Sequence, residues 1–137
     1  MDIRSEFLEI LPSPDSPSKV GNIYSSYALC LANNSARNTD VLKYPVNVVN
    51  LRSFEIPSFG GVQFCRESNE IREYFSEKDE IVLYKNYKDM IDKANYFINY
   101  ATDDELRNIQ TKAYLRFQSE HTLKHRFNKV FDRIGLV

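Results

Sequence analysis

Arg52 and Glu55 stand three residues apart in the run Asn50-Leu51-Arg52-Ser53-Phe54-Glu55-Ile56-Pro57-Ser58-Phe59-Gly60-Gly61-Val62-Gln63-Phe64-Cys65. On a helix that spacing puts a guanidinium and a carboxylate on one face. An arginine fork holds a phosphate through paired, charge-assisted hydrogen bonds. A carboxylate accepts hydrogen bonds from sugar hydroxyls. Pro57 follows, then the pair Gly60 and Gly61, which suits a helix C-cap because glycine takes positive φ without a Cβ clash. Residues 62–65 read as a short buried strand. The segment is therefore helix, tight turn, strand, with Arg52 and Glu55 near the helix start, where unpaired N–H groups and the dipole favour anions. The same spacing also suits an internal Arg52–Glu55 salt bridge beside an ordinary C-cap.

Other residue types that carry chemistry are less organised. His121 and His125 have the i, i+4 spacing of a metal pair, but the sequence offers no third ligand, and the expectation is packing or hydrogen bonding to the sheet, with no metal. Cys30 and Cys65 fall in expected strands, which favours buried free thiols in a reducing compartment. No Cys–His arrangement can be placed, so neither is assigned as a nucleophile. Asn33 and Asn34 follow a strand end, where open α/β sheets place ligands; a plain turn is the competing reading.

The run 52–61 resembles the R-x-F-E-I-P-A-x-G-G signature of CgeB-like glycosyltransferases, in the GT-B "glycosyl transferases group 1" class. Further resemblances follow in order. Glu80-Ile81-Val82-Leu83-Tyr84 is similar to the family's E-I-V-x-Y/F strand, and residues 87–100 to its next helix. Glu120-His121-Thr122-Leu123-Lys124-His125-Arg126 is similar to its E-H-T-Y-x-H-R run. The resemblance spans about residues 20–134. It implies that Arg52 contacts phosphate, that Glu55, with Gly60 five residues on, contacts ribose, and that Gly60 and Gly61 keep the backbone close to a nucleotide. Many related enzymes carry another glutamate eight residues before the ribose glutamate; here that position is Asn47. The resemblance also implies a nucleotide-sugar donor as substrate and no metal or other cofactor.

These residues must be positioned by a small scaffold. The chain has 137 residues, enough for one core. Its net charge of −1 gives no general pull toward nucleic acid or anionic membrane. Residues 1–11 carry Asp2, Glu6 and Glu9 and lack the apolar core of a signal peptide. No apolar run reaches membrane-spanning length, so the expectation is a soluble, cytoplasmic protein.

In chain order, Ile3, Phe7 and Ile10 have helical spacing, and Pro12, Pro14 and Pro17 mark a loop. Residues 18–27 suit a helix and 28–32 a buried strand. Residues 41–49 are ambiguous between strand and loop. The helix over 51–59 contains Pro57, which is tolerated in a first turn or at a kink. Ser68 or Asn69 caps a helix with Ile71, Tyr74 and Phe75. Residues 81–84 form a strand. Asn86 caps a helix over 87–100 that turns Met90, Ala94, Phe97 and Ile98 inward. Thr102-Asp103-Asp104-Glu105 is a capping box for a helix with Leu106, Ile109, Ala113 and Phe117. A last helix carries Leu123, Phe127, Val130, Phe131 and Ile134.

The alternation indicates an α/β fold: a short parallel sheet flanked by helices, with a helical C-terminus. The expected layout is an N-terminal segment and Pro-rich loop over 1–18, then an α/β domain over 19–137. The resemblance makes the latter an incomplete Rossmann-like domain, the C-terminal part of a GT-B enzyme. Three readings follow: a glycosyltransferase subunit or fragment, a non-catalytic nucleotide-binding module, or a truncated remnant. Each exposed sheet edge favours a partner, either a separate chain supplying the N-terminal GT-B domain or a second copy.

Overall fold

The computed structural model describes residues 16–36, 39, 41–44 and 46–135. The helix expected around Ile3, Phe7 and Ile10 and the loop prolines Pro12 and Pro14 lie outside them, as does Pro45. The elements are α1 (Pro17–Ser26), β1 (Cys30–Ala32), α2 (Arg52–Ser58), β2 (Gln63–Arg66), α3 (Asn69–Tyr74), β3 (Val82–Tyr84), α4 (Tyr87–Asn99), α5 (Asp103–Arg116), a π-helical turn (Phe117–His121) and α6 (Leu123–Ile134).

Among the described residues the sheet has the order β1-β2-β3, all parallel, with Leu31 opposite Phe64 and Phe64 opposite Val82. These are the three expected strands: β1 and β3 are shorter than 28–32 and 81–84, and β2 runs one residue further on than the expected 62–65. Period-two alternation divides the core into two layers. On one face Ala32, Cys65 and Leu83 pack with Phe54 and Ile56 of α2 and with Ile71, Phe75 and Ile81. On the other, Val62, Phe64 and Val82 meet Ile109 of α5 and Met90, Ala94 and Phe97 of α4. Burial on both faces is why the strands read as continuous apolar runs.

Side-chain caps start the helices where the sequence places them. Ser68, Asn86 and Thr102 accept the N–H of Ile71 (3.2 Å), Asp89 (3.0 Å) and Glu105 (3.1 Å). Salt bridges then fasten α5 to the turn before β3: Lys112 meets Asp79 at 2.7 Å and Arg116 meets the buried Glu80 at 3.2 Å. Glu80 also accepts the N–H of Ser76 at 2.8 Å.

Two expectations are corrected and one open reading is narrowed. Pro57 lies neither in a first turn nor at a helix start; it is the penultimate residue of α2. It deprives only the Ser53 carbonyl of an i+4 donor, and the helix ends one residue later. Ile98 does not face inward but is exposed. Positions 90, 94 and 97 make the i, i+4, i+7 stripe, and 98 falls on its flank. Over 41–49, left open between strand and loop, the described residues include no regular strand, and an isolated antiparallel bridge joins Ser35 to Asn47.

The π-helical turn was not expected. Its inserted residue swings His121 into the core, 5.3–5.5 Å from the rings of Phe54, Tyr74 and Phe75. Its Nε2 lies 3.0 Å from the Tyr74 carbonyl oxygen. Beyond it, Leu123, Phe127, Val130, Phe131 and Ile134 form an exposed apolar stripe along α6.

Candidate functional site

The site is built where the carboxyl end of β1 meets the start of α2. Asn34, two residues past β1, is buried. Its backbone carbonyl accepts the N–H of Val48 at 2.6 Å, and its Oδ1 accepts the Ser53 hydroxyl at 3.3 Å. One residue earlier, the carbonyl of Asn33 accepts the Asn50 side-chain amide at 2.9 Å. Asn33 and Asn34 therefore form a strap holding the first turn of α2 against the carboxyl edge of the sheet, the edge at which parallel α/β folds bind ligands.

That strap fixes Arg52 and Glu55. Arg52 is the first residue of α2 and is exposed; Glu55, one turn on, is half-buried. Among the described residues no ion pair joins them, so the alternative of an internal salt bridge is not realised. The expectation of free helix-start N–H groups needs correcting. Those of Ser53, Phe54 and Glu55 already donate to the carbonyls of Asn50 and Leu51. Any anion contact at this end falls chiefly to the Arg52 guanidinium.

Gly60 and Gly61 do not join them. They sit at the far end of α2, where the chain enters the amino end of β2. Gly60 has φ 73° with open space around its α-carbon, the backbone of a helix C-cap. Gly61 is packed so closely that an added Cβ would lie 2.9 Å from Ile56 Cγ2 and 3.1 Å from the Tyr24 carbonyl oxygen. The four residues that the resemblance assigns to a nucleotide are thus divided between the two ends of one helix. Both glycines set the path of the chain.

Residues 13–132 match the model of the glycosyl transferase-like family. The chain belongs to this family. No curated protein and no solved structure matches it.

Other family-type positions find places in the same geometry. Asn47 lies beside the strap in the bridge to Ser35, with its Oδ1 buried and without a hydrogen-bond partner. Glu55 borders a groove of about 330 Å³ with Leu51, Phe54, Phe59, Phe117 and Arg126. Arg126 is the residue that sequence reasoning missed as a site candidate. It closes the Glu120–Arg126 run, and only the return of the chain over α2 brings it opposite Glu55.

The remaining candidates have structural settings. His125 Nδ1 lies 2.7 Å from the Thr122 hydroxyl, whereas His121 engages Tyr74. The two imidazoles thus have separate partners. Both cysteines are free, and burial pushes the Cys30 thiol up to about 11 and the Cys65 thiol up to about 12. Thiols so raised are poor nucleophiles. No helix among the described residues is long and apolar enough to cross a membrane.

Proposed function

We propose that this chain is the nucleotide-sugar-binding portion of a CgeB-like, GT-B glycosyltransferase. In this reading it binds a nucleotide-sugar donor whose sugar passes to an acceptor. The observation that carries it is the placement of Arg52 and Glu55, unpaired with each other, on the first turns of α2 at the carboxyl edge of a parallel sheet. Glu55 takes the ribose hydroxyls and Arg52 a phosphate. Catalysis rests on stabilising the charge of the departing nucleoside diphosphate, with no metal among the chain's own requirements. Gly60 and Gly61 contribute by fixing α2, not by touching the ligand. The free thiols support a reducing, cytoplasmic setting.

Calorimetric titration with UDP and GDP tests this. A charge-assisted hydrogen bond contributes about 1.5–3 kcal/mol, so Arg52→Ala weakens nucleotide binding by roughly tenfold to a hundredfold. Glu55→Ala weakens UDP but leaves inorganic pyrophosphate unaffected. Equal nucleotide binding by wild type and Arg52→Ala sinks the reading.

Asn47 favours a second reading, a non-catalytic nucleotide-binding module or remnant that works with a partner chain. Without a carboxylate there, this reading expects UDP-sugars to bind no tighter than UDP. The exposed stripe on α6 supports a separate chain supplying an N-terminal GT-B domain. A second copy of this chain is the other outcome that light scattering would register.

A further inference from the structure

Alongside α6 runs a second groove, of about 470 Å³, lined by the rings of Phe54 and Tyr74 and by Arg126, Lys129 and Arg133. The three cations fall at i, i+3 and i+7 and so share one side of the helix. The Arg126 guanidinium carbon lies 4.4 Å from the centroid of the Phe54 ring. A cation–π contact of this kind places the cation over the ring without using its N–H donors. Two carboxylates, Glu120 and Asp132, also line the groove. Glu120 is engaged by Arg116 at 2.6 Å. Among the described residues none of the three cations has a carboxylate within ion-pair distance. Three unpaired cations therefore face one unpaired carboxylate, Asp132, in a chain whose net charge is −1. The basic character belongs to this groove and not to the protein's surface at large.

We propose that this groove is a phosphate subsite: Arg126, Lys129 and Arg133 take a phosphate group of an organic ligand, Tyr74 flanks its uncharged part, and the buried Phe54 ring supports Arg126 from beneath. Guanidinium forks and ammonium groups converging on one concavity suit a doubly charged oxyanion. The phosphate comes either from the donor nucleotide or from a phosphorylated acceptor. The first is sterically open because the groove beside Glu55 shares Phe54, His121 and Arg126 with this one. The inference stands on α6 and Phe54 and does not require the roles given to Arg52 and Glu55.

The test titrates the intact chain with inorganic pyrophosphate and, separately, with UDP, at low and raised salt. Arg126→Ala is expected to weaken pyrophosphate about tenfold, the loss of one charge-assisted contact. The double variant Lys129→Glu with Arg133→Glu changes only exposed positions, so it keeps the fold, and in an Arg52→Ala background, where the α6 groove is the remaining phosphate site, it should abolish pyrophosphate binding. Salt should weaken wild type more steeply than Arg126→Ala. Displacement of pyrophosphate by UDP assigns the subsite to the donor's own diphosphate. Simultaneous binding, with UDP indifferent to the double variant, assigns it to an acceptor phosphate. The proposal is overturned if wild type and both variants bind pyrophosphate alike, or if wild type shows no saturable binding at millimolar ligand. Loss of pyrophosphate binding in the double variant, with UDP indifferent to Arg52→Ala and Glu55→Ala, keeps the subsite and removes the donor-site reading. The converse pattern removes the subsite alone.

Discussion

The Ser53 hydroxyl donates to Oδ1 of the buried Asn34 at 3.3 Å, tying the first turn of α2 to the carboxyl end of β1. Arg52 precedes that serine, so the bond sets where its guanidinium emerges. Ser53→Ala leaves a buried acceptor without a donor, and the expected loss is about 1–3 kcal/mol. Urea denaturation measures it, and nucleotide affinity should fall as the turn loses its anchor. A change within the ~0.5 kcal/mol typical of surface substitutions would show that the strap does not hold α2.

Gly60 and Gly61 separate two physical causes. Gly60→Ala meets open space but a φ of 73°, so only backbone strain of about 1–2 kcal/mol opposes it. Gly61→Ala meets Ile56 and the Tyr24 carbonyl, an overpacking cost of about 1–3 kcal/mol. Gly60→Asn, a residue that tolerates the left-handed region, should recover much of the first loss, whereas Gly61→Asn should be worse than Gly61→Ala. Thermal melts of the four variants check this. Neither alanine variant should alter nucleotide affinity while the protein is folded, because both glycines lie at the end of α2 remote from Arg52.

The strands, their parallel pairing and the helix starts were legible because each rests on local signals. Apolar runs mark 28–32, 62–65 and 81–84, and Ser68, Asn86 and Thr102 announce the caps. The candidate site was half legible. Arg52 and Glu55 share a helix face, and spacing is enough to reveal that. Gly60 looked like a neighbour of Arg52 because sequence distance hides direction: a helix running back along the sheet carries its two ends to opposite edges. Arg126 lies 71 positions beyond Glu55 by the numbering, and it reaches the groove beside α2 only after the helix breaks at Thr122, whose extended backbone separates the π-helical turn from α6. Local periodicity does not encode that fold-back.

The thiols give a reactivity prediction. Burial raises Cys30 from 9.0 to about 11 and Cys65 from 9.0 to about 12. The thiolate is the reacting form. At about pH 8 its fraction should be lowered roughly a hundredfold at Cys30 and roughly a thousandfold at Cys65, a factor of ten per pH unit. Iodoacetamide should label the native protein slowly, Cys30 before Cys65, and urea should equalise the two. Mass spectrometry of timed aliquots reads this directly. Rapid labelling of Cys65 in the native protein would contradict its burial beneath α2.

Acid stability should depend on which group holds each aspartate. Asp79 is kept below its ordinary 3.8 chiefly by the hydrogen bond from Lys112 Nζ. Asp89 is kept below it chiefly by the backbone N–H of Lys85 at 2.9 Å, and only secondarily by Lys93. A carboxylate with a depressed folded pKa stabilises the fold above its unfolded value, and that stability is lost as pH falls through the folded value. Both contributions are therefore complete above about pH 4 to 5 and disappear below about pH 3.8, the ordinary value from which both are depressed. Lys112→Met removes the main cause at Asp79, so the variant should be less stable than wild type at neutral pH and converge with it in acid. Lys93→Met leaves the Lys85 N–H in place and should run nearly parallel to wild type across the acid limb. Urea midpoints measured from about pH 6 to about pH 2.5 for the three proteins distinguish the cases. Raised salt should shrink the Lys112 effect, because both partners are solvent-accessible. If Lys112→Met and wild type lose stability in parallel as the pH falls, the Asp79–Lys112 contact contributes nothing to acid sensitivity.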